Sequence, residues 1–82
     1  MILVDIYVPS IDKEYDFQLN ETAHIYTIIE EIVEMIGQKE QTQLCGNVAD
    51  MMLCVKGSQR VLQKKQTLAE TGVGTGESLI LI

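Results

Sequence analysis

Apolar and polar residues alternate along the start of the chain. Ile2, Val4, Ile6 and Val8 fall on one side, and Leu3, Asp5 and Tyr7 on the other. A period of two in β-branched residues predicts a strand with one face in a core. Pro9 withdraws a backbone donor and ends that strand, and residues 11–14 read as a polar turn. Tyr15, Phe17 and Leu19 then alternate with Asp16, Gln18 and Asn20, so a second strand returns as a hairpin. From about Ala23 the period lengthens. Ile25, Ile28, Ile29, Ile32, Val33 and Ile36 recur at three- and four-residue spacing, with Glu30, Glu31 and Glu34 between them. That is an amphipathic helix, with Thr22 or Ala23 at its N-cap and Gly37 as its left-handed stop.

The second half reads as shorter elements. Residues 38–50 are polar and predict a connecting loop, residues 51–55 a third strand, residues 56–59 a turn, and Arg60, Val61 and Leu62 a short fourth strand. Thr67 followed by Glu70 predicts a single helical turn opened by a capping box and closed by Gly72. Residues 78–82 form the last strand. Two strands on either side of one amphipathic helix predict an α+β layer pair, a mixed four- to five-stranded sheet with the helix across one face. The right-handed crossover rule puts the last strand beside the first, in parallel, which is the β-grasp arrangement. A chain of 82 residues is expected to be one domain over 1–82.

The segment Thr67-Leu68-Ala69-Glu70-Thr71-Gly72-Val73-Gly74-Thr75-Gly76-Glu77-Ser78-Leu79-Ile80-Leu81-Ile82 resembles the closing signature of ubiquitin-like folds. Its core is a leucine, a Gly-Val four residues later, then Gly-Glu and an apolar strand. Asp16-Phe17-Gln18-Leu19-Asn20-Glu21, followed by the Ile25 and Ile28-Ile29 helix, is similar to the small YukD/EsaB family of type VII (WXG100) secretion systems. The resemblance implies a bacterial ubiquitin-like accessory or regulatory component that docks on cytosolic parts of the machine's membrane proteins. Conjugated relatives and sulfur carriers need a loose Gly-Gly tail for an activating enzyme. Here Leu81-Ile82 is predicted to lie within the final strand, so conjugation is not expected. A modifier or sulfur carrier activated at its C-terminus is the alternative in another class, and a self-associating structural domain is a third.

Charge narrows the partners. Residues 1–41 carry nine acids and two bases, while residues 42–82 carry three acids and four bases, for a net charge of −6 overall. Phosphate contacts need Lys and Arg, so no nucleic-acid partner is expected. No apolar run approaches the ~20 residues that span a bilayer, and no leader precedes the first strand, so direct membrane insertion is not expected either. The expected location is the cytoplasm, peripheral to a membrane only through a partner. The four bases Lys56, Arg60, Lys64 and Lys65 form a candidate patch for an acidic partner, or simply a solvated turn.

No catalytic chemistry emerges. Cys45 and Cys54 match no zinc spacing, and without a secretion signal both are expected as free thiols. His24 is the sole histidine and sits at the helix start, so neither a Cys–His pair nor a metal cluster is supported. Gly72, Gly74 and Gly76 follow a helical turn and open a strand, the reverse of a phosphate-binding glycine loop. No enzyme activity, cofactor or metal is expected. Strand parity supplies a binding surface instead. With Ile2, Val4, Ile6, Leu53, Val55, Leu79 and Leu81 beneath the helix, Leu3, Tyr7, Met52, Cys54, Ile80 and Ile82 face away from it, contiguous across strands one, five and three. An exposed apolar patch of that kind marks an interaction site, and the resemblance implies that this face is the usual recognition surface. A homodimer contact is one alternative. The other is a one-residue slip of the third strand, which would put Met51 in place of Met52 and expose Leu53 and Val55.

Overall fold

The alternation of Ile2, Val4, Ile6 and Val8 is realised as β1 (Ile2–Val8), with Val4, Ile6 and Val8 buried. The structure, a computed structural model, describes residues 1–40, 48–58 and 60–82. The other strands are β2 (Lys13–Leu19), β3 (Leu53–Val55), β4 (Arg60–Val61) and β5 (Ser78–Leu81). The helix α1 (Ile25–Glu40) follows β2, and the one-turn helix α2 (Leu68–Thr71) precedes β5. The sheet order is β2-β1-β5-β3-β4. β1 and β5 run parallel, as expected, and every other pair is antiparallel. Ile25, Ile28, Ile29, Ile32 and Ile36 of α1 are buried in one cluster with Val4, Ile6, Leu53, Leu79 and Leu81 of the sheet. The helix therefore lies across one sheet face.

Several boundaries differ from the sequence reading, each for a physical reason. β2 begins at Lys13, inside the expected polar turn. A 3₁₀ turn over Pro9–Ile11 and a left-handed Asp12 (φ 50°) reverse the chain in four residues, and Lys13 and Glu14 join the ladder opposite Val8 and Tyr7. Asp tolerates that conformation better than most residues. Gly37 does not stop α1, which runs on to Glu40. A helical glycine costs about 1 kcal/mol relative to alanine, and side-chain anchors on the last turn offset it. The Lys13 ammonium meets the Glu40 carboxylate at 2.6 Å, and the Tyr15 hydroxyl donates to the same carboxylate at 2.6 Å. The Lys39 ammonium also stands 5.2 Å from the centre of the Tyr15 ring. Of the expected loop at 38–50, residues 38–40 are thus helical and Val48–Asp50 form a 3₁₀ turn.

Neither Thr22 nor Ala23 caps α1. Thr22 donates its hydroxyl and amide to the Asn20 side chain, while the His24 carbonyl accepts the first intrahelical bond from Ile28. The orphan amides at the helix start are satisfied from elsewhere in the chain. Ile25 donates to the Gln66 carbonyl at 2.9 Å and Tyr26 to the Lys64 carbonyl at 3.2 Å. The arrangement is reciprocal: Leu68 and Ala69, opening α2, donate to the Ala23 and Glu21 carbonyls at 3.0 and 2.8 Å. Two helix starts are therefore stitched to each other's approach loops. The capping box of α2 is present, with Thr67 and Glu70 bonded both ways and Gly72 closing the turn at φ 81°.

Two stability predictions follow from this packing. Ile32→Ala removes a fully buried side chain and should cost about 2–5 kcal/mol in urea denaturation, in the range of aliphatic-to-alanine core truncations. The Glu40 cluster predicts a pH dependence. Lys13 and then Tyr15 hold the Glu40 carboxyl below its usual range, so its contribution is present above the unfolded carboxylate pKa and lost as pH falls through the folded value. The hydrogen bond to Glu40 pushes the Tyr15 hydroxyl up to about 12, so that contribution disappears as pH rises from 10 towards 12. Glu40→Gln should lower Tm at neutral pH and converge on the parent protein below the carboxylate range. A Tm difference that stays constant down to acid pH would contradict this.

Candidate functional site

The face of the sheet opposite α1 is organised by the ladder registers. Tyr7 lies opposite Ile80, Ile80 opposite Cys54, and Cys54 opposite Val61. Directly paired residues point to the same side, so these four form one rung across β1, β5, β3 and β4. Beyond its end, Met52 and Ile82 exchange backbone hydrogen bonds in both directions, which extends the β3–β5 ladder to the final residue. Two residues the other way along the strands is a second rung. There Asp16 lies opposite Asp5 and Asp5 opposite Ser78, whose carbonyl accepts from the Lys56 amide.

This geometry brings together Tyr7, Cys54, Met52, Ile80 and Ile82, with Met52 rather than Met51 outward. Met52 is 42% exposed and Ile82 54%, while Met51, Leu53 and Val55 are buried on the helix side. Leu3, though 47% exposed on the same face, is set apart. The rung of Asp5 and Ser78 stands between it and Ile80, so the six residues are not contiguous as parity suggested. Cys54 adds little surface at 7% exposure, because Ile80 and Val61 flank it on both sides. Val61, 49% exposed, belongs to the patch and was missed. Its signal was its register opposite Cys54, which depends on the length of the turn between β3 and β4.

The surrounding polar groups are partly committed. The Tyr7 hydroxyl donates to the Asp12 carboxylate at 2.7 Å, which raises the phenol pKa and ties Tyr7 to the hairpin turn. Asp5 accepts from the Ser78 hydroxyl at 3.5 Å. The Asp16 carboxyl is pushed above its usual range by its hydrogen bond with Asp5 and by that neighbour's charge. The basic residues do not converge. Lys64 donates to the Ala49 carbonyl, Arg60 lies opposite the inward Val55, and Lys56 belongs to the outer rung with Ser78. Lys65 is exposed in the turn before α2.

The other candidate chemistries are also placed. The amides of Gly72, Gly74 and Gly76 donate to the Ala69 carbonyl, the Glu77 carboxylate and the Leu3 carbonyl, so none points out to cradle a phosphate. His24 stands exposed at the start of α1, on the helix side, whereas Cys54 faces the other side of the sheet. Cys45 lies outside the described residues. Among the described residues no group of three or more His, Cys, Asp or Glu is placed to hold a metal ion, and no helix is long and apolar enough to cross a membrane. A separate groove of about 390 Å³ lies between the edge strand β2 and α1, walled by Tyr15, Phe17, Met35 and Lys39.

The five-stranded mixed sheet with one main helix across it is a ubiquitin-like β-grasp. The ubiquitin-like domain of EccD5 from Mycobacterium xenopi superposes with a TM-score of 0.75 at 20% identity, over 99% of this chain and 91% of that one. The ubiquitin-like domain of Plasmodium falciparum Dsk2 gives 0.73 at 19% identity, over 98% and 93%. ATBAG1, solved in complex with HSP70, gives 0.74 at 18% identity, over 100% of this chain and 40% of that one. At such identities the likeness shows the fold. No curated protein sequence matches the chain significantly. The chain belongs to the YukD family of the WXG100 protein secretion system (Wss), whose model matches residues 3–81.

The burial of Cys54 is directly testable. In a Cys45→Ser background its thiol should react with a soluble thiol reagent far more slowly in native protein than in denaturant. Equal rates in the two conditions would place Cys54 on the open surface.

Proposed function

We propose that this protein is a ubiquitin-like adaptor of the WXG100 secretion machinery, which works by binding another protein and carries out no reaction of its own. The observation that supports this is the apolar rung of Tyr7, Ile80 and Val61 with Met52 and Ile82 beside it, on a sheet face that α1 leaves uncovered. Fully burying one large apolar side chain is worth roughly 1.5–3 kcal/mol. Several exposed together on a rigid sheet are therefore a plane for a partner. Family membership supplies the pathway. ATBAG1, a fold neighbour solved in complex with HSP70, is in keeping with a role in protein binding. The partner is a cytosolic part of a membrane component of the machine, and the adaptor works in the cytoplasm.

Photo-crosslinking in cells that carry the secretion system tests this reading. A photoreactive residue at Met52 or Val61 should crosslink to a component of the machine, and one at exposed Glu30 on the helix side should not. With the probe at Val61, Ile80→Asp and the more exposed Met52→Asp should abolish the crosslinked species while leaving the circular dichroism spectrum unchanged. Equal crosslinking from both sides, or capture that survives both variants, would overturn the docking face.

A further inference from the structure

The rung beside the apolar one carries a feature that the fold itself does not favour. Asp5 and Asp16 are directly paired across β1 and β2. Like charges in that position destabilise a sheet. Among the described residues, no Lys or Arg forms a salt bridge with Asp5, Glu14 or Asp16. Glu14 pairs with Tyr7 and so adds a third acid to the same side of the face. The outer face thus carries an apolar rung from Tyr7 to Val61 and, beside it on β1 and β2, an acidic stretch of Asp5, Asp16 and Glu14, with Lys56 at the far end of the Asp5 rung.

We propose that this face receives a cationic amphipathic helix of a partner protein, its apolar stripe on Val61, Ile80 and Tyr7 and its Lys or Arg side chains on Asp5 and Asp16. The inference rests on the docking-face reading above and names the chemistry of the partner. Three observations select this occupant. β1, β5 and β3 each have a neighbour on both sides, so their backbone groups are spent in the ladder. An added strand therefore has nothing to bond to on this face, whereas a helix packs on a sheet by side chains alone. The apolar and acidic rungs lie two residues apart along each strand, about 6.6 Å. A helix laid along the apolar rung, across the strands, would therefore hold cations on its flank over Asp5 and Asp16. Finally, these acids form no salt bridge among the described residues, and Ser78 separates Asp5 from Lys56 at the far end of the rung, so a partner's cation would both satisfy and desolvate the pair. The Asp16 carboxyl agrees, pushed above its usual range in the free protein first by its hydrogen bond with Asp5 and then by that neighbour's charge.

The consequence is a trade between stability and binding that a structural role would not produce. The test titrates two synthetic amphipathic helices against the full chain by calorimetry. They share a leucine stripe, and one is flanked by arginines, the other by glutamates. The arginine peptide should bind with an affinity that falls as salt rises, and the glutamate peptide should not. Asp16→Asn should weaken the arginine peptide by roughly twofold to fivefold, the size of one exposed ion pair, while raising Tm of the free protein at neutral pH. Ile80→Asp and Met52→Asp should abolish binding, although each adds a charge that would strengthen a merely electrostatic attraction. Equal binding of both peptides, lost in both variants, would refute the cationic preference and leave the docking face standing. Arginine-peptide binding that survives both variants would refute the proposal and the docking face together. A concentration-dependent dimer abolished by Ile80→Asp would assign the face to a second copy and equally overturn the proposal.

Discussion

The placement of β5 between β1 and β3 governs the rest of the molecule. It is the one strand that joins the N-terminal hairpin to the β3–β4 pair, parallel on one side and antiparallel on the other. Its register decides that Leu79 and Leu81 meet the isoleucines of α1 and that Ile80 and Ile82 turn away. A slip of one residue would bury the outer set and expose the inner one. The core opposes that slip with every apolar side chain it would lose, so packing on the inner face decides which positions the outer face presents.

The reciprocal capping of the two helix starts secures that register at a distance. α2 is a single turn, too short to be stable on its own. Its first amides are held by the loop that leads into α1, and the first amides of α1 by the loop that leads into α2. The connection from β4 back to β5 is therefore pinned above one end of the main helix, and the Gly72 and Gly76 turns (φ 81° and 91°) deliver β5 into its slot. Gly76 donates to the Leu3 carbonyl at 2.8 Å, just ahead of the first β1–β5 pair.

The two faces of the sheet answer different physics. The inner face is satisfied by burial, and a core of this kind tolerates substitutions that keep its volume and pattern, in keeping with the superposition of structures below 25% identity over nearly the whole chain. The outer face is not satisfied internally. It holds exposed Met52, Val61 and Ile82 together with two aspartates in direct opposition, a combination that lowers the solubility and stability of an isolated domain. What a fold retains against its own stability is the natural place to look for the molecule's dealings with others.

The elements and their sidedness were legible in the order of residues alone. The β-branched alternation of residues 2–8, the isoleucine stripe from Ile25 to Ile36 and the Thr67–Glu70 capping box are local codes, since a strand or helix period and a cap depend only on nearby residues. Parity thereby also assigned Tyr7, Met52, Ile80 and Ile82 to the outer face. Features that depend on neighbours far along the chain emerged with the packing of the whole domain. α1 outran Gly37 because Lys13 and Tyr15 on β2 hold Glu40. Its cap came from Lys64 and Gln66 rather than Thr22. Leu3 was cut off by the Asp5–Ser78 rung, and Val61 was brought beside Cys54, because pairing register belongs to two strands at once and is written in neither.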